Sequence, residues 1–172
     1  MSDPGTEIER KFLVAELPPD IDRGHAETVE QGYLGITDDG LEVRVRRRGN
    51  HSFLTIKQGS GGVRVEEELE IEAERFARLW PLTEGRRVEK TRHVLPASGG
   101  FELEVDVYRR ELEGLVTAEV EFDSERDAAA FEPPSWFGLE VTEDPRYKNR
   151  WLACNGLPPG MPVSAPDLSG DA

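Results

Sequence analysis

The stretch Leu115-Val116-Thr117-Ala118-Glu119-Val120-Glu121-Phe122 alternates, with Thr117, Glu119 and Glu121 on one side and Val116, Ala118, Val120 and Phe122 on the other. Successive side chains of a β-strand point to opposite faces, so this period of two predicts a strand with one apolar and one charged face. The same reading extends outward. Phe101–Tyr108 sets Glu102, Glu104 and Asp106 against Phe101, Leu103, Val105 and Val107. Leu41–Arg48 opens with Leu41, Val43 and Val45 against Glu42, Arg44 and Arg46. Val63–Ile71 sets Arg64, Glu66, Glu68 and Glu70 against Val63, Val65, Leu69 and Ile71. Glu7–Val14, Thr28–Gly35, Phe53–Lys57 and Arg86–Leu95 bring the total to eight predicted strands. Glycine-rich Gly59–Gly62 reads as a hairpin turn, since it lacks the ending of a phosphate loop and opens no helix.

Three helical segments are predicted around the strands. Ala73–Trp80 stops at Pro81, Ser124 with Asp127 makes a capping pair, and Asp144-Pro145 starts a last helix with Gly156 beyond its end. Residues 1–6 read as a flexible start, 7–154 as one domain and 155–172, rich in proline and glycine, as a largely irregular tail. Trp80, Trp136, Tyr147 and Trp151 read as packing between helices and the outside of the sheet.

Composition sharpens the question of where the charge goes. Of 172 residues, 35 are acidic and 21 are Lys or Arg, a net charge of −14. Charged residues make up 33%, against about 25% in an average globular chain. So acidic a chain disfavours a broad nucleic-acid or anionic-membrane surface. A single cysteine, Cys154, excludes an internal disulfide and a cysteine-based zinc cage. No stretch approaches a membrane span and no secretory leader is evident, so a cytoplasmic protein is expected. Exposed alternating strand faces also suit a homodimer.

An ordinary sheet with its charged face in water would account for alternation alone. Three details point elsewhere. The carboxylates come in pairs two residues apart, Glu7/Glu9, Glu66/Glu68, Glu104/Asp106 and Glu119/Glu121, where they repel and bring no folding benefit. Basic pairs share the spacing, in Arg44/Arg46 and Lys90/Arg92, with Lys11, Lys57 and Arg64 beside them. The signs are segregated along the chain. If an antiparallel barrel closes with these faces inward, carboxylates would hold a hard divalent cation and Arg and Lys would hold phosphate oxygens. A metal-loaded polyphosphate needs both at once.

These residues resemble the CYTH family, the triphosphate tunnel metalloenzymes. Glu7-Ile8-Glu9-Arg10-Lys11 is similar to its ExExK signature, Arg44-Val45-Arg46 to its RxR strand and Thr55-Ile56-Lys57 to its TxK segment. Arg64-Val65-Glu66-Glu67-Glu68, Glu89-Lys90-Thr91-Arg92, Glu104-Val105-Asp106 and Ala118-Glu119-Val120-Glu121 follow in the family's order. So do Gly138-Leu139-Glu140-Val141-Thr142 and Arg146-Tyr147 with Asn149. The resemblance implies a mainly β fold, a closed eight-stranded antiparallel barrel forming a charged tunnel, with a few helices outside or at its end. It implies hydrolysis of a triphosphate with Mg²⁺ or Mn²⁺, foremost inorganic tripolyphosphate to pyrophosphate and phosphate. A class IV adenylate cyclase, a thiamine triphosphatase and a non-catalytic polyphosphate- or nucleotide-binding module are the alternatives. By the same resemblance Glu7, Glu9, Glu119 and Glu121 hold the metal. Glu66, Glu68, Glu104 and Asp106 take a second metal or orient the attacking water. Lys11, Arg44, Arg46, Lys57, Arg64, Lys90 and Arg92 grip the phosphates, Lys90 close to the reaction. Arg10 falls on the opposite face and is left out of the site.

Overall fold

The computed structural model describes residues 8–58 and 65–161. In chain order the strands are β1 (Ile8–Val14), β2 (His25–Ile36), β3 (Glu42–Arg48), β4 (His51–Gln58), β5 (Val65–Ile71), β6 (Arg87–Pro96), β7 (Glu102–Tyr108), β8 (Val116–Phe122) and β9 (Phe137–Glu140). Helix α1 (Ala73–Leu79) follows β5, α2 (Glu125–Ala130) follows β8 and α3 (Asn149–Asn155) follows β9. All eight predicted strands are present within a few residues of their expected limits. Residues 1–7, the Gly59–Gly62 turn with Val63 and Arg64, and 162–172 lie outside the described residues.

The strands form one antiparallel sheet of nine in the order β5-β4-β3-β2-β6-β7-β8-β1-β9. That ladder has two ends, and among the described residues no hydrogen bonds join β5 to β9. The expected eight-stranded closure is therefore not made by backbone pairing. The ninth strand was not anticipated: Phe137–Glu140 adds to the free side of β1, with Phe12 opposite Glu140.

A second core lies at one end of the charged face. Leu13 of β1, Tyr33 of β2, Val88 of β6 and Tyr108 of β7 join Tyr147, Leu152 and Ala153 in one buried apolar cluster. In the strand order β1 lies four places from β2, about 19 Å away in a flat sheet. Leu112, Leu115 and Val141 complete the cluster across that distance, and α3 packs against β6 and β2. Register puts Leu13 on the same face as Lys11, and Tyr108 on the same face as Asp106. Helix α3 thus closes off one end of the charged face. Tyr147 belongs to that inner cluster and Trp151 packs against it, which corrects the expected place of both on the outside; the sequence marked them as apolar packing but not which face they pack against.

The opposite face holds the larger core. Val105, Ala118 and Val120 are fully buried there, with Phe12, Val14, Leu95, Leu103, Val116 and Phe122, beneath Ala128 of α2 and Phe131. Each such aliphatic or aromatic side chain contributes roughly 1.5–3 kcal/mol on burial. Over β3 and β4, α1 inserts Phe76, and the turn after it, beside β2, seats Thr83 against Gly32. A Cβ at residue 32 would come within 2.4 Å of the Thr83 hydroxyl oxygen, so this crossing needs glycine. Helix α2 begins as expected, with the Ser124 hydroxyl accepting from the Asp127 amide. Asp144 caps only a short 3-10 turn at Pro145–Tyr147, and α3 starts afresh at Asn149. No helix among the described residues is long and apolar enough to cross a membrane.

Candidate active site

Directly opposed residues of neighbouring strands share a face, so the register carries the charged face across the sheet strand by strand. Glu9 opposes Glu121, and Lys11 opposes Glu119. Glu104 opposes Glu119, and Asp106 opposes Thr117. Arg92 opposes Asp106. Across β2, Lys90 opposes Val29, and Val29 opposes Arg48, while Gln31 opposes Arg46 and Tyr33 opposes Arg44. Arg44 opposes Thr55, and Thr55 opposes Glu68; Lys57 opposes Glu66. Every expected site residue that falls among the described residues therefore points to this one face. Glu7 and Arg64 lie outside them.

The centre of the face is buried although it is ionic. Asp106 is 0% exposed and Lys90 3%. The Asp106 carboxylate accepts from Lys90 Nζ at 2.5 Å and from Arg92 Nε and Nη2 at 2.8 and 2.9 Å. Burial by itself would raise the Asp106 carboxyl; Lys90 and Arg92 reverse this and hold it well below the usual carboxylate range. Arg92 also pairs with Glu104. Glu104 shifts the other way, because burial, helped by Asp106 and Glu119, outweighs the pull of Arg92.

At the β8–β1 side the face becomes acidic. One carboxylate oxygen each from Glu9, Glu119 and Glu121 lies within 4.8 Å of the others. Oxygens that share one hard cation at about 2.0–2.4 Å are at most about 4.8 Å apart, so the group fits a divalent ion. Lys11 Nζ sits 3.1 Å from Glu119 Oε2. Burial opposes the Glu119 charge, yet Lys11 and Lys90 keep its carboxyl below its ordinary value. Among the described residues this is the acidic group that could take a metal. Glu66 and Glu68 are not part of it.

Those two carboxylates lie on β5, at the far end of the ladder, and face cations. Glu66 Oε2 is 2.8 Å from Lys57 Nζ and its Oε1 3.7 Å from Arg44. Glu68 Oε2 accepts from Arg46 at 2.9 Å and from the buried Thr55 hydroxyl at 3.1 Å. The Nε atoms of Arg44 and Arg46 are buried without a hydrogen-bond partner, as is the Thr117 hydroxyl. Unpaired buried donors are costly, and they suit a face that receives an anion.

Gln31, Thr55 and Thr117 were given no role in the site from the sequence, although each is buried on this face. Their signal was strand parity with the arginines and carboxylates and, for Thr55, its place in the TxK segment. Arg10, set apart on parity, does lie on the other face, where its guanidinium holds Glu140 at 2.7 Å and the carbonyls of Ala128 and Phe131 at 3.1 Å.

The CYTH domain model matches residues 5–135. The inorganic triphosphatase of Nitrosomonas europaea is 51% identical over 148 residues, spanning 86% of this chain and 97% of its own. The inorganic triphosphatase of Acetivibrio thermocellus is 41% identical over 155 residues, spanning 88% and 95%. The crystal structure of the inorganic triphosphatase NE1496 superposes with a TM-score of 0.73 at 49% identity, covering 87% of this chain and 95% of that one.

Proposed function

The chain belongs to the CYTH domain family, and on that premise we propose that it hydrolyses a triphosphate, foremost inorganic tripolyphosphate to pyrophosphate and phosphate. The observation that carries this reading is the shared face of Glu9, Glu119 and Glu121 with Lys90, Arg92, Arg44 and Arg46. The 51% and 41% identity to two inorganic triphosphatases supports it.

Glu9, Glu119 and Glu121, with Glu7, hold Mg²⁺ or Mn²⁺ in this reading. Bound there, the ion would withdraw charge from the phosphate oxygens and offset the charge that builds on the leaving pyrophosphate. The chain's own cations do the rest of the binding. Arg44, Arg46 and Lys57, with Arg64, grip one end of the phosphate chain; Lys90, Arg92 and Lys11 grip the other. Arg pairs two donors with two phosphate oxygens, which fixes orientation as well as charge. Glu104, with its raised carboxyl, orients the water and takes its proton as the water oxygen attacks the terminal phosphorus and the bridging P–O bond breaks to release pyrophosphate. Asp106, committed to Lys90 and Arg92, keeps those two cations in place and does not take the proton. Glu66 and Glu68 orient Arg44, Lys57 and Arg46 and do not supply a second metal position.

In its finer architecture the reading makes residues 7–154 one tunnel domain. The phosphate chain runs along this face between the β3–β4 strands and the β8–β1 strands.

Phosphate and pyrophosphate release from tripolyphosphate, ATP and thiamine triphosphate, with and without Mg²⁺ or Mn²⁺, tests the proposal. Equimolar phosphate and pyrophosphate from tripolyphosphate, only with metal, is the expected result. Cyclic AMP as the main product from ATP would reject hydrolysis. Tight binding without turnover in any metal would leave a capture module.

A further inference from the structure

The acidic group contains a cation of its own. Lys11 is 8% exposed, and its Nζ lies 3.1 Å from Oε2 of Glu119, one of the three carboxylates placed to share a divalent ion. Register sets the two side chains opposite each other on β1 and β8, with the Glu9–Glu121 pair next along. The same lysine lies on the face that carries Arg92 and Lys90, where a phosphate chain would run.

We propose that Lys11 is a placeholder cation: it occupies Glu119 before the metal arrives, and the metal displaces it onto the phosphate chain. This rests on the functional reading above and deepens it. An ammonium and a divalent ion compete for the same carboxylate oxygen, and the ion wins by charge and by binding Glu9 and Glu121 as well. The lysine's four-carbon stem lets Nζ swing by several ångströms without moving β1. No bond to carbon or phosphorus changes in the step; one N–H···O contact is exchanged for another. Metal binding thereby adds a cation to the substrate site, so the two bind cooperatively, each raising the affinity for the other.

The proposal gives Lys11 opposite effects on its two ligands. Manganese binding without substrate is read from the loss of the free Mn²⁺ electron paramagnetic resonance signal. Lys11→Gln should bind Mn²⁺ about tenfold more tightly than wild type, while its KM for tripolyphosphate rises about tenfold. Lys11→Arg keeps the charge and should retain Mn²⁺ affinity within about threefold of wild type. If Lys11→Gln binds Mn²⁺ no better than wild type, or if Lys11→Arg tightens equally, the placeholder role is overturned. The wild-type protein gives a test independent of folding in the variants. In ¹⁵N-lysine-labelled protein the Lys11 Nζ resonance, assigned by its absence from Lys11→Arg, should move on saturation with Mg²⁺. A resonance that stays in place while Mg²⁺ binds would overturn the displacement. Failure of the functional reading looks different: wild type would then neither bind Mn²⁺ nor hydrolyse tripolyphosphate.

Discussion

Asp106→Asn is the perturbation whose effect the structure sets most tightly. Asparagine keeps the shape and removes only the charge. Asp106 is 0% exposed and takes hydrogen bonds from Lys90 at 2.5 Å and from Arg92 at 2.8 and 2.9 Å. Arg92 retains Glu104 in the variant, so the cation left without its partner is chiefly Lys90, itself 3% exposed. Removing one member of a buried pair costs about 3–5 kcal/mol, because the other charge stays buried and uncompensated. In a chain of 172 residues each kcal/mol moves Tm by about 2–4 °C, which gives a loss of roughly 6–20 °C. Urea unfolding and differential scanning calorimetry, on wild type and variant side by side, read both quantities. The pH dependence follows from the direction of the shift. The folded-state carboxyl lies below its unfolded value of about 4, so its stabilisation is fully present above that pH. It is lost only as the pH falls through the still lower folded value. The gap between wild type and variant should therefore be flat from about pH 5 to 8 and narrow below about pH 4. A loss under about 1 kcal/mol, or a gap that closes near neutral pH, would refute the buried ionic centre as drawn.

Three further outcomes are expected. Glu121→Gln, at an exposed member of the acidic group, should cut metal-dependent turnover by about 10²-fold or more while Tm stays within a few degrees, read by phosphate release and calorimetry. Arg44→Ala should raise the KM for tripolyphosphate by about tenfold with a smaller change in kcat, because its buried Nε has no protein partner to lose. Ser124→Ala should cost about 1 kcal/mol in urea unfolding and leave KM unchanged, since its hydroxyl caps α2 at 3.1 Å on the far side of the sheet.

The sequence made most of the sheet legible because alternation is a local property. Leu115–Phe122 could be assigned to a strand, and its two faces separated, without knowing its neighbours. The same parity separated Arg10 from Glu9 and Lys11 within five consecutive residues, and the clasp on Glu140 agrees with that separation. Closure was not legible, since parity says which way side chains point but not how the two ends of a ladder meet. Phe137–Glu140 escaped for a related reason. It is four residues long after Pro133 and Pro134, and its strand character comes from the free side of β1, over 120 residues away in sequence. Helix α3 showed its apolar residues but not its destination, which Leu13, Tyr33 and Tyr108 set jointly from three distant strands. The division of labour among the carboxylates was the least legible part. Glu68, Asp106 and Glu119 are the same chemistry in sequence, and only the cations opposite them distinguish a guanidinium partner, a buried clamp and a candidate metal ligand.

The central claim, one inward face that holds a metal and a phosphate chain together, is tested most directly by a crystal structure with Mn²⁺ and a hydrolysis-resistant tripolyphosphate analogue. The account predicts anomalous density for manganese among Glu9, Glu119 and Glu121, with the analogue running from there past Lys90 and Arg92 to Arg44 and Arg46. Manganese bound elsewhere, or an analogue lying on the outer face beside Arg10 and Glu140, would contradict it.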